Sequence, residues 1–203
     1  MQKQIGHHVG DDMSYRPITD VWILARPKVK FYGAFPSGFV SRARALLGVG
    51  PLGAVLHVCG GKVKDYPYNG FNKGFDKTLD LDPKCEPDFL QDARDPLPLR
   101  PMWRWNEDAS DGTPFEQLWD AVLIDRPYTE ADAEHYVPGA DKLPDLNDLL
   151  KRSLAIVPVG GKVGVLDYLW PHPGKKGKEV AVVAVGTGRN GRARWYTVFE
   201  RLE

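Results

Sequence analysis

The sequence has no excess of charge of either sign, because 27 Lys and Arg side chains are balanced by 27 Asp and Glu side chains. Bulk charge therefore indicates no nucleic-acid partner, although a balanced total is compatible with a local basic face. Cysteine is scarce: Cys59 and Cys85 are too few for the disulfide framework of a small secreted protein. No apolar run approaches membrane-spanning length, and no stretch resembles a signal peptide. We therefore expect a cytoplasmic protein without a membrane contact.

Histidine is scarce as well, and only His7 and His8, with Asp11, suggest a metal site. Adjacent histidines in a polar terminus usually bind no metal, so we expect none. The first residues show no periodicity, and residues 1–19 are predicted to form a flexible arm. Residues 20–203 are predicted to form one domain, because a chain of 203 residues suffices for one large core.

Glycine and proline, by contrast, are abundant, with 21 and 17 residues. Apolar runs typical of strands recur between them, which favours long ordered loops over a disordered chain. The clearest strand-like runs are 20–24, 54–59, 77–83 and 121–124, residues 159–168 are predicted to form a turn into another buried strand, and a closing hairpin is predicted from 179–185 and 194–200. Helical spacing of apolar residues predicts helices at 39–47 and 145–157.

The run Ala121–Ile124 is short, unbroken and apolar, as expected for a strand buried on both faces. It is followed by Asp125-Arg126-Pro127-Tyr128, where the proline interrupts regular structure, and then by a helix that Thr129 can cap with Asp132. A carboxylate and an aromatic ring are thus placed at the carboxyl end of a strand. In open α/β sheets, ligands bind at that end.

Three further polar positions follow short strands in order along the chain. Cys59-Gly60-Gly61 ends the first core strand, where glycines allow the backbone to approach a cofactor closely. Asp80 lies about 20 residues further on, the spacing at which a carboxylate binds ribose hydroxyls in nucleotide-cofactor folds, and we prefer it to Asp82. Asp92 follows the next short run. Three carboxylates, Asp80, Asp92 and Asp125, each follow a short strand, and their order is a stronger signal than any one motif.

The Asp125–Tyr128 tetrapeptide resembles the D-P-P-Y signature of the amino-methyltransferases, which transfer a methyl group from S-adenosylmethionine (SAM) to an exocyclic base nitrogen. The resemblance runs from Asp20 to the C-terminus and implies a Rossmann-like class I methyltransferase fold of the α/β class. That fold has a seven-stranded, mostly parallel sheet with a C-terminal antiparallel hairpin and helices on both faces. It also implies SAM as cofactor, S-adenosylhomocysteine as product, and no metal.

The resemblance implies catalytic roles for all four residues of the tetrapeptide. Asp125 would accept one amine N–H, the carbonyl of Arg126 would accept the other, Pro127 would stiffen the segment, and Tyr128 would stack on the base. The family usually has proline where this sequence has Arg126. The implied cofactor-binding residues are Phe35, Pro36, His57, Cys59, Gly60, Gly61, Asp80, Leu81, Asp92 and Ala93.

Some of these assignments leave alternatives open. The F-P-x-x-F stretch at 35–39 is similar to a motif that contacts the methionine part of SAM, but its two phenylalanines can equally fix a helix to the sheet. His57 stands where the family usually has an acid, and it is either a loop-orienting residue or a core residue. Asp92 would meet the adenine amino group, and the N–H of Ala93 would meet a ring nitrogen.

Three other segments have a functional and a structural interpretation. The aromatic residues of loop 64–74 (Tyr66, Tyr68 and Phe71) either contact ligands or anchor the loop. Basic and indole side chains at 99–117 (Arg100, Trp103, Arg104 and Trp105) either grip a base or cover the sheet edge. Basic residues near the C-terminus either touch phosphates or are simply solvated; they are Lys175, Lys176, Lys178, Arg189, Arg192 and Arg194.

The sequence thus predicts methyl transfer to a nucleobase amine, with adenine N6 expected before cytosine N4 and DNA before RNA as the nucleic-acid partner. A base in a duplex would have to be flipped out of the stack. Two alternatives are a methyltransferase for a small molecule or nucleotide, favoured by the zero net charge, and a catalytically silent subunit with the same fold, suggested by Arg126 and the altered glycine loop. The target sequence and the oligomeric state stay open.

Overall fold

A computed structural model describes residues 16–29, 34–104, 113–136, 142–187 and 193–203. Most of the predicted arm lies outside these residues, together with His7, His8 and Asp11. Trp105, Arg189 and Arg192 also lie outside them. Within the described residues, no helix is long and apolar enough to cross a membrane.

Ten strands and three α-helices make up the described chain. The strands are β1 (Ile18–Leu24), β2 (Val55–Val58), β3 (Lys77–Asp80), β4 (Phe89–Leu90), β5 (Arg100–Arg104), β6 (Thr113–Gln117), β7 (Ala121–Ile124), β8 (Lys162–Asp167), β9 (Gly177–Thr187) and β10 (Ala193–Arg201). The helices are α1 (Phe39–Leu47), α2 (Glu130–Tyr136) and α3 (Leu146–Ala155). Both helices predicted from periodicity are therefore confirmed, as is the closing hairpin of β9 and β10.

Eight of the strands form one sheet in the order β1, β9, β10, β8, β7, β2, β3, β4. Only β10 runs antiparallel to its neighbours, while the other pairings are parallel. The predicted mostly parallel sheet with a C-terminal antiparallel hairpin is thus confirmed. It has eight strands instead of the expected seven because β1 adds to the edge beside β9.

Apolar side chains cover both faces of this sheet. On one face, α1 packs Phe39, Val40, Ala43 and Leu47 into a cluster that includes Leu123 of β7. On the other face, the apolar side of α3 packs against the residues of β7 that point the opposite way, Val122 and Ile124. β7 is buried on both faces, as its unbroken apolar run predicted, because a parallel sheet is covered from both sides.

The connections from β2 to β3 and from β3 to β4 contain no α-helix, although parallel strands are usually joined through one. The described chain has only a 3₁₀ turn in each, Val63–Asp65 and Pro83–Cys85. The first result agrees with the long loop predicted at 64–74. Asp82 begins the second turn and accepts a hydrogen bond from the Lys84 N–H.

The two-stranded β5–β6 sheet lies at the amino ends of the central strands. Arg100 in β5 donates to Asp120, which directly precedes β7, whereas Asp125 follows the carboxyl end of β7. The side chains of Trp103 and Arg104 and the whole of Trp105 lie outside the described residues, so the hypothesis that this segment grips a base stays a prediction. The predicted basic cluster is also divided, because Lys178 pairs with Glu200 at the amino end and Arg194 pairs with Val185 near the other end.

Candidate active site

A cavity of about 620 Å³ opens at the carboxyl ends of the parallel strands. Its volume lies within the range of small-molecule and cofactor sites. All of the predicted site residues except Pro36 and His57 line it. The cavity therefore joins three features that are separate in the sequence: the glycine loop after β2, the acids after β3 and β4, and the tetrapeptide after β7.

The glycine loop turns sharply after β2. Cys59 has a left-handed backbone with φ of 55°, and its N–H donates to the Leu79 carbonyl oxygen at 2.8 Å. Gly60 has little room, since a Cβ there would lie 3.0 Å from the Cβ of His57. Gly61, with φ of 50°, has nothing within 4 Å of such an atom. The loop thus exposes backbone, with no side chain in the way, toward the cavity.

Asp80 ties the glycine loop to the end of β3. Its carboxylate accepts hydrogen bonds from the N–H of Gly61 at 2.8 Å and from the N–H of Asp82 at 3.0 Å. Burial raises the pKa of Asp80, while these two N–H donors oppose that shift. Leu81, the next residue, also lines the cavity. Asp82 does not appear in its lining, which agrees with the preference for Asp80.

Asp92 and Ala93 lie on the part of the cavity that follows β4. The Asp92 carboxylate is paired with the guanidinium of Arg94, with an Nη2–Oδ2 distance of 2.7 Å. Hydrogen bonding to Arg94 lowers the pKa of Asp92, so the residue is ionised at neutral pH. Ala93 is almost completely buried. Asp92 is therefore a fixed acceptor in the part of the cavity that follows β4.

Asp125, Tyr128 and Arg194 form a chain of hydrogen bonds in the wall of the cavity. The Tyr128 hydroxyl donates to Oδ1 of Asp125 at 2.5 Å and accepts from Nη1 of Arg194 at 2.6 Å. Burial raises the pKa of Asp125 to about 7, whereas the positive charge of Arg194 and the Tyr128 hydroxyl lower it and Asp167 raises it further. Asp125 therefore changes charge near neutral pH.

Arg126 occupies the position at which the family usually has proline. Its side chain turns away from solvent, and Nε lies 3.0 Å from Oδ2 of Asp167 at the end of β8, with both side chains buried. Burial raises the pKa of Asp167 and Arg126 opposes that shift. The ion pair fixes the tetrapeptide to the neighbouring strand, so contact with β8 constrains a position that lacks the proline ring.

The start of helix α2 holds the other end of the tetrapeptide. The N–H of Asp132 donates to the Thr129 hydroxyl at 3.1 Å, and this hydroxyl donates to the Asp132 carboxylate at 2.8 Å. The predicted cap by Thr129 is thus confirmed. Asp125 to Tyr128 is held between β7 and a capped helix.

Two aromatic side chains, Phe35 and Tyr66, line the cavity. Phe35 stacks on Phe39 with ring centroids 5.1 Å apart, and its N–H donates to the Tyr66 hydroxyl at 2.8 Å. Tyr68 similarly accepts from the N–H of Lys28 at 2.6 Å. Tyr66 lines the cavity, while Tyr68 and Phe71 do not appear in its lining. The tyrosines of loop 64–74 therefore anchor it, and Tyr66 also faces the candidate site.

Pro36 and His57, both predicted to bind the cofactor, lie outside the cavity. Pro36 begins the turn into α1, and only Phe35 of the F-P pair reaches the cavity. His57 is 2% exposed, packs against Phe71, and has Nε2 3.5 Å from Oδ2 of Asp76. Its side chain points to the α1 face because alternate residues of a strand face opposite sides. His57 is therefore a core residue beneath the loop.

Several residues of the cavity were not predicted as site residues. Among them are Arg26 and Pro27 after β1, Tyr168 after β8, Lys142 before α3, and Arg194 in β10. Tyr168 packs edge-on against Tyr128, with ring centroids 4.7 Å apart. None of them stands near a motif. The available signal was positional, because Arg26 and Tyr168 each follow the carboxyl end of a predicted strand.

This sheet order, the antiparallel hairpin and the cavity at the carboxyl ends define a class I methyltransferase fold. The fold of this chain is similar to that of the crystal structure of TrmN from Thermus thermophilus. The TM-score is 0.51 and the sequence identity 17%, over 84% of this chain and 50% of that one. An rRNA methylase from Streptococcus thermophilus gives a TM-score of 0.44 and 11% identity, over 84% of this chain and all (100%) of the other. This chain spans about half the length of TrmN. No family model matches the sequence, and no curated protein matches it significantly.

Proposed function

We propose that this protein is a SAM-dependent methyltransferase that acts on the exocyclic amine of a nucleobase, adenine N6 before cytosine N4, in DNA before RNA. One observation carries the proposal: Asp80 and Asp92, the candidate cofactor acids, open onto the same cavity as Asp125 and Tyr128. A methyl donor and a planar acceptor need such a shared space, because transfer requires the reacting atoms to be in contact.

The cofactor side of the cavity fits SAM by its donor set. Asp80 offers carboxylate oxygens of the kind that binds ribose hydroxyls, and Gly61 offers backbone with open space beside it. Asp92 and the N–H of Ala93 offer an acceptor and a donor to the adenine ring, and Phe35 offers an apolar wall. SAM would supply an electrophilic methyl group bound to sulfur.

On the acceptor side, Asp125 binds and orients the amine. Its Oδ1 already accepts from Tyr128, which leaves Oδ2 for one N–H of the amine, while the carbonyl of Arg126 takes the other. An exocyclic amine is a poor nucleophile, because its lone pair is delocalised into the ring. Two acceptors held in fixed positions favour the tetrahedral nitrogen that reacts.

The same carboxylate can receive the proton that the amine loses. A general base works best when its pKa lies near the operating pH, and the pKa of Asp125 is raised by burial to about 7. Tyr128 adds the aromatic surface against which a planar base packs, and its ring is held in place by Arg194 and Tyr168.

A methyltransferase for a small molecule or a free nucleotide is the second candidate. It is favoured by the absence of net charge and by the position of Lys178, which lies at the end of the sheet away from the cavity. The silent-subunit alternative loses part of its basis, because the buried pairing with Asp167 gives Arg126 a structural role.

The test is incubation of the protein with SAM labelled in the methyl group and separate pools of DNA, RNA and nucleotides, followed by digestion to nucleosides. Label in N6-methyladenosine or its deoxy form supports the proposal, and label in N4-methylcytosine supports the same chemistry on the other base. Label recovered only from the nucleotide pool supports the second candidate. SAM binding without transfer to any pool would contradict both.

A further inference from the structure

Arg194 lies in the wall of the candidate active site, although it belongs to the C-terminal hairpin. It is half-buried, its Nη1 donates to the Tyr128 hydroxyl at 2.6 Å, and its guanidinium carbon lies 5.7 Å from the centroid of the Tyr128 ring. The same hydroxyl donates a hydrogen bond to Oδ1 of Asp125 at 2.5 Å, so Arg194 and Asp125 are linked through Tyr128. A phenylalanine at position 128 would offer the same stacking surface without this connection.

We propose that Arg194 is a positioning residue for the acceptor side of this site: it fixes the Tyr128 ring through the hydroxyl and places a positive charge near Asp125. The inference rests on the proposed function for the role of Asp125 in transfer. It differs from both sequence-based interpretations of Arg194, which were contact with phosphates and simple solvation. A guanidinium already engaged with a buried hydroxyl and facing a carboxylate is poorly placed for that contact.

The charges around Asp125 define what Arg194 has to offset. Asp167 faces Asp125 from β8 and disfavours its ionisation, while burial acts in the same direction. Cys59 at the end of β2 and Tyr66 in loop 64–74 also interact electrostatically with Asp125. Arg126 neutralises Asp167 directly. Arg194 and the Tyr128 hydroxyl are the two groups that lower the pKa of Asp125.

Tyr128 and Asp125 act on Arg194 in return. Burial lowers the pKa of the guanidinium, but Tyr128 and Asp125 more than offset this effect, so its pKa is raised and it stays charged. The three side chains are thus mutually dependent. The positive charge of a nearby arginine commonly lowers the pKa of an aspartate by about one to three units.

The experiment measures the titration of Asp125 and the pH dependence of transfer in the same variants. The side-chain carboxyl of Asp125 is followed by ¹³C NMR and assigned by its loss in Asp125→Asn. The variants are Arg194→Met, Arg194→Lys and Tyr128→Phe. Arg42→Met is the matched control, because Arg42 also stacks on an aromatic ring, that of Trp22, but outside the cavity.

We expect Arg194→Met to raise the titration midpoint of Asp125 by about one pH unit or more. Arg194→Lys should restore most of that shift, Tyr128→Phe should raise the midpoint by less than Arg194→Met, and Arg42→Met should match the wild type. Transfer by Arg194→Met should fall roughly fivefold at pH 7 and recover by pH 9, with an unchanged KM for SAM, because the carboxylate forms again at higher pH.

An unchanged midpoint in Arg194→Met would overturn the inference, and so would an equal loss of transfer at every pH. If Arg194→Met does not fold, the test is made on Tyr128→Phe, which breaks the link between Arg194 and Asp125, and a midpoint identical to the wild type would overturn the inference. The titration needs no acceptor. A wild-type protein that titrates as expected but methylates no amine would therefore overturn the proposed function, and with it the role of Arg194 in transfer, while the electrostatic effect of Arg194 on Asp125 would stand.

Discussion

Asp80 and Tyr128 line the same cavity, although Asp80 ends β3 and Tyr128 follows β7, with β2 between these strands. The parallel direction of the three strands produces this relationship, because it places all their carboxyl ends at one edge of the sheet. The glycine loop after β2 lies between the two residues. The proposed cofactor side and acceptor side of the site are therefore neighbours by topology.

The first prediction concerns Asp80. Asp80→Asn removes the negative charge that ribose hydroxyls and the N–H groups of the loop prefer, and SAM affinity should fall roughly 10- to 100-fold, as expected for lost hydrogen bonds to a charged group. Asp82→Asn is the matched control, since Asp82 is two residues away and caps a 3₁₀ turn. Isothermal titration calorimetry with SAM measures both. Equal losses in the two variants would show that Asp80 has no specific role.

The second prediction concerns the close packing of Gly60. A methyl group in Gly60→Ala would lie 3.0 Å from the Cβ of His57 and 3.1 Å from its carbonyl oxygen, so the loop must move. We expect a loss of stability of about 1–3 kcal/mol together with weaker SAM binding. Gly50→Ala, where nothing lies within 4 Å, is the control. Urea denaturation and calorimetry check the pair, and unchanged SAM binding in Gly60→Ala would separate the loop from the cofactor.

The third prediction concerns the cost of burying Asp125. Its pKa is raised by burial to about 7 in the folded protein, above the ordinary value of about 3.9 in the unfolded chain. The folded state therefore holds this proton more tightly, and stability is lost as pH rises from about 4 to 7. Asp125→Asn does not ionise, so its stability relative to the wild type should increase by about 2 kcal/mol between pH 5 and pH 8.

Urea denaturation at the two pH values measures this difference, because contributions from other groups cancel between the variant and the wild type. A stability difference that is the same at pH 5 and pH 8 would mean that Asp125 titrates alike in both states. The raised pKa would then be wrong, and the role of Asp125 as an acceptor for the proton at neutral pH would lose its support.

The fourth prediction concerns the buried pair of Arg126 and Asp167. Arg126→Met leaves the Asp167 carboxylate buried without its partner and should destabilise the protein by about 3–5 kcal/mol. Adding Asp167→Asn removes the uncompensated charge and should recover much of the loss. Arg126→Pro, which restores the family's D-P-P-Y sequence, should be as harmful as Arg126→Met. Equal stabilities of the single and double variants by urea denaturation would argue against the pair.

The site residues that were predicted from sequence belong to short, continuous segments of the chain. The tetrapeptide at Asp125, the loop at Gly60 and the acid at Asp80 each follow an apolar run, and the carboxyl end of a buried strand is recognisable without knowledge of the fold. Thr129 was likewise predicted as a helix cap from its local pattern. Local sequence sufficed because each of these residues is positioned by the strand or helix beside it.

The parts that were missed depend on contacts between distant segments. Arg194 meets Tyr128 across 66 positions of sequence, through strands β8 and β10, whose antiparallel pairing brings the start of β10 to the end of β8. Arg126 contacts Asp167 because β7 and β8 are paired in parallel, which brings their carboxyl ends together. Basic residues near each other in sequence were grouped, but the long strand β9 separates Lys178 from Arg194. Such contacts depend on the register between paired strands, which cannot be predicted from the sequence of one strand alone.

The most direct measurement of the central claim compares two properties of Asp125→Ala, the rate of methyl transfer to the amine and the affinity for SAM. If donor and acceptor share the cavity with Asp125 on the acceptor side, transfer falls by roughly 100-fold or more while the dissociation constant of SAM, measured by calorimetry, changes by less than about threefold. A parallel loss of transfer and SAM affinity, or transfer at the wild-type rate, would contradict the account.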